Sequence, residues 1–252
     1  MTLRLLSYNI RYGGRGREAQ IAAVVGALSP DVVVFEEASD PAVIERVADA
    51  SGLSAWGARS GQSLGFASRV APDHFAWHWP RSSRHAFLEL VPAGAALRVF
   101  GVHLSAVHAA WTERRRVHET GALLAAIDRW RREPHVLVGD FNTLPPGDSL
   151  DMTRLPPRLR PFVWLSGGRI RWQVVNRLRE AGYVDVAAAC ESRPTPTFPT
   201  WGAHLRLDYA FVPRALESAV RRYRVITDAP DIPAASDHRP ILLELELEAR
   251  AR

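Results

Sequence analysis

Val136-Leu137-Val138-Gly139-Asp140-Phe141-Asn142 is a short apolar run that ends, on its C-terminal side, in an acid and an amide. It is too short for a helix and rich in valine, so Val136–Val138 reads as a buried strand. Three other runs share the form: Leu5-Leu6-Ser7-Tyr8-Asn9, Val32-Val33-Val34-Phe35-Glu36-Glu37 and Val99-Phe100-Gly101-Val102-His103. Two later runs reverse it, with polar groups at the N-terminal side: Arg206-Leu207-Asp208-Tyr209-Ala210-Phe211-Val212, and Ser236-Asp237-His238-Arg239-Pro240 leading into Ile241-Leu242-Leu243. If these two lie antiparallel to the first four, all six polar groups gather at one edge of the sheets.

Working outward, further strands are expected at Gly65–Ser68, Ala86–Val91 and Arg222–Ile226. Helices are expected at Gln20–Leu28, Ala42–Ala50, Trp111–Arg131 and Trp172–Ala181. Asp40 before Pro41 suits a cap followed by the first helical position. Strands with helices between and around them make an α/β fold containing at least one mixed sheet. The proline-rich stretch from Leu144 to Arg171, with its Gly167-Gly168 pair, reads as a long irregular loop, and long loops inside compact domains are often functional. No linker stands out elsewhere, so residues 1–252 are expected to form one domain.

Composition excludes several chemistries. All basic residues, 32 in number, are arginine, so a P-loop lysine and Schiff-base chemistry are ruled out. The single cysteine, Cys190, rules out an internal disulfide. No apolar run is long enough to span a bilayer and no secretory leader pattern opens the chain, so a cytoplasmic protein, monomeric by default, is expected. A net charge of +5 favours an anionic partner, although an arginine-rich genome produces basic proteins without that purpose.

Singly, each polar group at the strand ends has an ordinary explanation: Asn9 a turn, His103 a structural histidine, Asp140 and Asn142 a polar turn, Asp208 a paired acid, Asp237 a cap. Jointly they make chemical sense. Carboxylate and amide oxygens suit Mg2+ or Mn2+, whereas zinc favours cysteine and histidine clusters that this chain lacks. Hydrolysis of a phosphate ester needs an activated water, neutralised phosphoryl oxygens and help for the leaving oxygen. The set Asn9, Glu37, His103, Asp140, Asn142, Asp208, Asp237 and His238 can supply all three.

The strings Ser7-Tyr8-Asn9, Phe35-Glu36-Glu37, Gly101-Val102-His103-Leu104, Gly139-Asp140-Phe141-Asn142, Arg206-Leu207-Asp208-Tyr209 and Ser236-Asp237-His238-Arg239-Pro240 resemble, in order, the motifs of the endonuclease/exonuclease/phosphatase (DNase I-like) superfamily. Pro30-Asp31-Val32-Val33-Val34 and Ala181-Gly182-Tyr183-Val184-Asp185 resemble it too. The resemblance implies a four-layer α/β/β/α sandwich, two packed mixed β-sheets flanked by helices. It implies that Glu37, assisted by Asn9 and Asp237, holds a divalent metal. Asp140 would position or deprotonate water, with Asn142 orienting it. His238, held by Asp208, would contact a phosphoryl oxygen or act as acid/base, and His103 would contact the phosphate or protonate the leaving group. Glu36 departs from the pattern, since many members carry glutamine there. Strand alternation would point Glu36 and Glu37 to opposite faces, so only one of them is expected to reach the metal.

For the substrate, the stretch from Arg154 to Glu180 carries seven arginines, with Phe162, Trp164 and Trp172 interleaved. Arginines that grip phosphates and aromatics that stack on bases suit nucleic acid, and Arg169, Arg171, Trp164 and Trp172 are the expected substrate contacts. A nuclease or related phosphodiesterase is the first expectation. A sphingomyelinase-like or inositol-phosphate phosphoesterase of the same fold comes second, and a catalytically silent binding protein third. The Gly-Val-His-Leu string places abasic-site repair lower. Arg114-Arg115-Arg116 are expected on an ordinary charged helix surface.

Overall fold

In the computed structural model of the protein, the described residues are all but 82, 152, 155, 156, 158, 159, 167–169, 230 and 249–252. Twelve strands build two six-stranded sheets. The first holds β1 (Thr2–Asn9), β2 (Val32–Glu36), β3 (Ala55–Gly57), β4 (Leu64–Ser68), β11 (Val220–Val225) and β12 (Ile241–Glu246), in the order β11-β12-β1-β2-β4-β3. The second holds β5 (His74–His78), β6 (Phe87–Val91), β7 (Arg98–His103), β8 (His135–Asp140), β9 (Tyr183–Asp185) and β10 (Asp208–Pro213), in the order β5-β6-β7-β8-β10-β9. Each has one parallel pair at its centre, β1/β2 or β7/β8, with antiparallel neighbours on both sides.

The layering follows from β2, which is buried from end to end. Val32 and Val34 join Leu3, Leu5, Leu88, Val102 and Val138 in the core that includes both sheets. Val33 and Phe35 join Leu6, Tyr8, Ile21, Val25, Ile44 and Val47 in a second core, under α1 (Glu18–Leu28) and α2 (Pro41–Ser51). Alternate residues of one strand therefore face a sheet and a helix layer. On the far side of the second sheet lie α3 (Ala110–Ile127) and α5 (Val174–Glu180), which contribute Leu123, Ile127, Val174 and Leu178. Gly101 sits where the sheets come closest: a Cβ there would lie 2.8 Å from Val34 Cγ1. The expected architecture, two mixed sheets flanked by helices, is the one observed.

The short elements differ from expectation. β3, β5 and β9 are edge strands only three to five residues long, and the sequence reading has none of them. The 144–171 stretch is not wholly irregular, since it contains α4 (Arg160–Leu165). Two further short helices, α6 (Val186–Cys190) and α7 (Ile232–Ala235), were also unread. Asp40 does cap α2, accepting from Ala42 N at 3.1 Å. Arg116 is a correction. It is fully buried, while Arg114 and Arg115 are exposed, because its guanidinium pairs with buried Glu113 at 2.9 Å.

One residue lets β8 lie close against β7 just before Asp140. Gly139 has φ 146°, and a Cβ on it would stand 1.9 Å from Val102 O in the neighbouring strand. Gly139→Ala should therefore cost about 3 kcal/mol or more, since neither backbone can yield without breaking the β7/β8 ladder. Urea unfolding checks this, and a variant within about 1 kcal/mol of wild type would contradict it.

Candidate active site

The two parallel pairs end at the same seam. β1 and β2 finish side by side, Asn9 in register with Glu36, and β7 and β8 finish with His103 in register with Asp140. β10 runs the other way and begins with Asp208 opposite Asp140. The segment before β12 adds Asp237 and His238. It is clasped to β1 by Ser236, whose hydroxyl donates to Asn9 O at 2.6 Å and accepts from His238 N at 3.1 Å.

Asn9 closes the seam. Its Nδ2 donates to Asp140 Oδ2 at 3.0 Å, across the two sheets, and lies 3.4 Å from Glu37 Oε1. Arg11 N donates to Asn9 Oδ1 at 2.9 Å, and Tyr12 N donates to Glu37 Oε2 at 2.5 Å. Arg11, Tyr12, Glu37 and Asn142 all have φ between 49° and 56°, a left-handed conformation that costs energy away from glycine. That turn at Glu37 decides the fate of the two glutamates. Glu36 completes the strand and is fully buried, accepting from Ser7 Oγ at 2.8 Å. Glu37 leaves the strand and reaches the half-buried mouth beside Asn9.

Across the seam, His238 Nδ1 lies 3.0 Å from Asp208 Oδ2, and its Nε2 lies 3.9 Å from Asp140 Oδ2. His103 Nε2 approaches the same Asp140 oxygen at 3.8 Å. Asn142 N donates to Asp140 Oδ1 at 2.8 Å, while its side-chain amide donates to Leu104 O at 3.1 Å. The electrostatics are unequal. Burial pushes the Asp140 carboxyl well above its usual range, opposed by His238 and reinforced by Asp208. Burial, then Asp208 and Asp140, raise Glu36 as well. Burial works against the charged form of His238, but Asp208 and Asp140 outweigh it and hold the ring as a cation. His103 has a hydroxyl partner, Ser63, and burial takes it down to about 3, a neutral imidazole.

The donor set fits a hard divalent cation. Glu37, Asn9, Asp140 and Asp237 offer carboxylate and amide oxygens, and Asp140, whose carboxyl is raised chiefly by burial, accepts from Asn9 among them. Asp140, Asp208 and His238 also present donor atoms within 4.8 Å of one another. His238 and Asp208 are engaged with each other, which suits an oriented imidazole better than a pair of ligands.

Other expected contacts fall differently. Trp164 is 74% exposed and Arg171 is exposed. Trp172 is a correction: it is buried in a small cluster with Leu144, Leu205 and Leu207, so it packs behind the site rather than offering a face for stacking. Arg169 lies outside the described residues. Several neighbours went unread. Arg11 sets its Nε 3.3 Å from Asp237 Oδ2, and it follows Asn9 by two, the spacing that could have suggested it. His85 stacks on His103 with centroids 5.2 Å apart. Nothing in the local sequence marks Ser63 or His85.

Comparison with known proteins agrees with this architecture. The model of the Endonuclease/Exonuclease/phosphatase family matches residues 6–238. No curated protein sequence matches the chain. Among solved structures, the chain is similar to the 3'-phosphatase NExo from Neisseria bound to a product DNA hairpin, at 18% identity and TM-score 0.71, over 96% of this chain and 99% of that one. It is similar to an AP endonuclease from Archaeoglobus fulgidus, at 16% identity and TM-score 0.72, over 97% and 100%. A family protein from Bacteroides thetaiotaomicron gives 18% identity and TM-score 0.67, over 98% of both chains. With two mixed sheets meeting at one polar seam and a family match over nearly its whole length, this chain belongs to the Endonuclease/Exonuclease/phosphatase family of phosphoester hydrolases.

Proposed function

We propose that the chain is a divalent-metal-dependent phosphodiesterase acting on nucleic acid, with its active site at the seam between the sheets. The observation that carries the reading is the 3.0 Å bond from Asn9 to Asp140, beside the Asp208–His238 pair. Glu37, with Asn9 and Asp237, would hold Mg2+ or Mn2+, which when bound neutralises phosphoryl charge and acidifies water. Asp140, its other oxygen fixed by Asn142 N, takes the proton of the attacking water. His238, kept cationic by Asp208, donates to a phosphoryl oxygen. His103, whose Nε2 approaches the same Asp140 oxygen, donates to the phosphate as well, with Asn142 orienting the group. Arg11 supplies a guanidinium for the phosphate in a chain that has no lysine.

Nucleic acid is supported by the DNA-bound neighbour and by the exposed surface near the site. Trp111, Phe162 and Trp164 are exposed, and so are Arg114, Arg115 and Arg171. Trp164→Ala should weaken single-stranded DNA binding roughly five- to a hundredfold, since a stacked base contributes about 1–3 kcal/mol. Fluorescence anisotropy in an Asp140→Asn background measures it, and unchanged affinity would remove Trp164 from the binding surface. One observation favours a second reading: Val107 and Leu165 are exposed too, and aliphatic groups suit a lipid phosphoester better than a base. A panel of plasmid, single-stranded DNA, RNA, abasic duplex, sphingomyelin, inositol phosphates and an aryl phosphodiester, with Mg2+, Mn2+ or chelator, decides between them. Hydrolysis of the lipid or inositol substrates without any of DNA or RNA would overturn the proposal.

A further inference from the structure

His103 has an unusual environment for a histidine at a hydrolytic site. It is 9% exposed, its Nδ1 meets the hydroxyl of Ser63, and its ring lies parallel to His85, interplanar angle 6°. Ser63 precedes β4 in the first sheet, whereas His103 ends β7 in the second, so this contact is a further tie across the seam. The backbone of Ser63 works toward the same place: its carbonyl accepts from Ala38 N at 2.9 Å, immediately after Glu37. One residue therefore holds both the loop that carries Glu37 and the ring that faces Asp140.

A ring that carries one proton can hold it in two ways. If Nδ1 carried it, Nε2 would present a lone pair to the Asp140 oxygen 3.8 Å away, an unfavourable pairing. If the Ser63 hydroxyl donates to Nδ1, Nε2 keeps its proton and faces the carboxylate favourably. We propose that Ser63 is a positioning residue for hydrolysis, fixing His103 as the tautomer whose Nε2–H is aimed at the substrate phosphate beside Asp140. This rests on the reading of His103 as a phosphate contact. His85 on one ring face limits tilt, and the other charged or titratable groups around the ring are Arg84, Asp140 and His238.

The test uses the full chain with histidine labelled in 15N, and long-range proton–nitrogen spectra to read the tautomer, His103 being assigned by the loss of its signals in His103→Asn. Wild type should show a protonated Nε2 and an acceptor Nδ1. Ser63→Ala should give a mixture of tautomers and about a tenfold lower kcat on an aryl phosphodiester with Mg2+, with KM nearly unchanged. Ser63→Thr, which keeps the hydroxyl, should restore both. A protonated Nδ1 in wild type, or full kcat in Ser63→Ala, overturns the proposal. If His103→Asn itself keeps full activity, the reading of His103 fails, and the tautomer spectrum of wild type separates that failure from an error about Ser63.

Discussion

Asp140→Asn should lower kcat by about a hundred- to ten-thousandfold, the range expected for loss of a general base, yet leave the protein as stable as wild type or more so. The two effects come from one cause. Asp140 is 1% exposed and faces Asp208, and its carboxyl is raised because the charged form is poorly accommodated. A neutral amide removes that penalty. The sign with pH follows. A carboxyl raised in the folded state binds protons there that the unfolded chain releases, so stability falls as pH climbs from the ordinary carboxylate value of 3.8 toward neutrality. His238 acts in the same direction at higher pH: the stabilisation from its raised affinity for a proton is complete below 6.5 and is lost progressively as pH rises from there through about 10. Buried histidines held neutral, His103 and His108 among them, act in the opposite sense below pH 6.5, so the comparison isolates the carboxyl: Asp140→Asn should gain stability relative to metal-free wild type between pH 5 and pH 7.5. Denaturant melts at both pH values, with activity measured on the same samples, check this. An active variant would show that Asp140 is not the base, and one that loses stability more steeply with pH would show that its carboxyl is not the penalised buried charge.

Glu113→Ala should be the most destabilising of the substitutions considered away from the seam, by about 3–5 kcal/mol, because it strands a buried cation. Glu113 is 2% exposed and accepts from Thr143 Oγ1 at 3.0 Å, Gln173 N at 2.7 Å and Val174 N at 3.1 Å, besides pairing with Arg116. Arg116 would retain its bonds to Ser105 O and Val107 O but lose its counter-charge. In a chain of this size the loss corresponds to about 6–20 °C in Tm. Calorimetry reads it directly. Since Thr143 adjoins Asn142 and Ser105 lies two residues past His103, surviving enzyme should also show reduced kcat. A melting temperature within about 2 °C of wild type would mean that Arg116 finds another partner.

The central strands were legible because burial on two faces leaves continuous apolar runs, as in Val32–Phe35. Their polar ends were legible for the complementary reason that nothing but a sheet edge accommodates Asn9, Glu37, His103 and Asp140 so close to valine and leucine. The edge strands β3, β5 and β9 were not, since three to five residues are too few to show a period and they pair through backbone atoms that carry no residue code. Trp172 and Arg116 were misjudged through composition: a tryptophan among arginines suggested stacking and a run of three arginines suggested a surface. In both cases position decided the outcome, through Leu144 and Leu207 for one and Glu113 for the other. Ser63 could not be found at all, as a serine before a short strand has no signature until the second sheet brings His103 over it.

β12, near the C-terminal end, lies between β1 and β11, with Leu3 opposite Leu245 and Leu5 opposite Leu243. During synthesis the opening strand must therefore wait, one edge bare, until more than two hundred further residues have left the ribosome. A partner so remote in sequence makes for slow folding, and the exposed edge invites mispairing in the interval. A rearranged chain in which a short linker leads from Leu247 to Met1, opened in the Pro92–Leu97 turn, would put that pairing early, trading a late closure for a local hairpin.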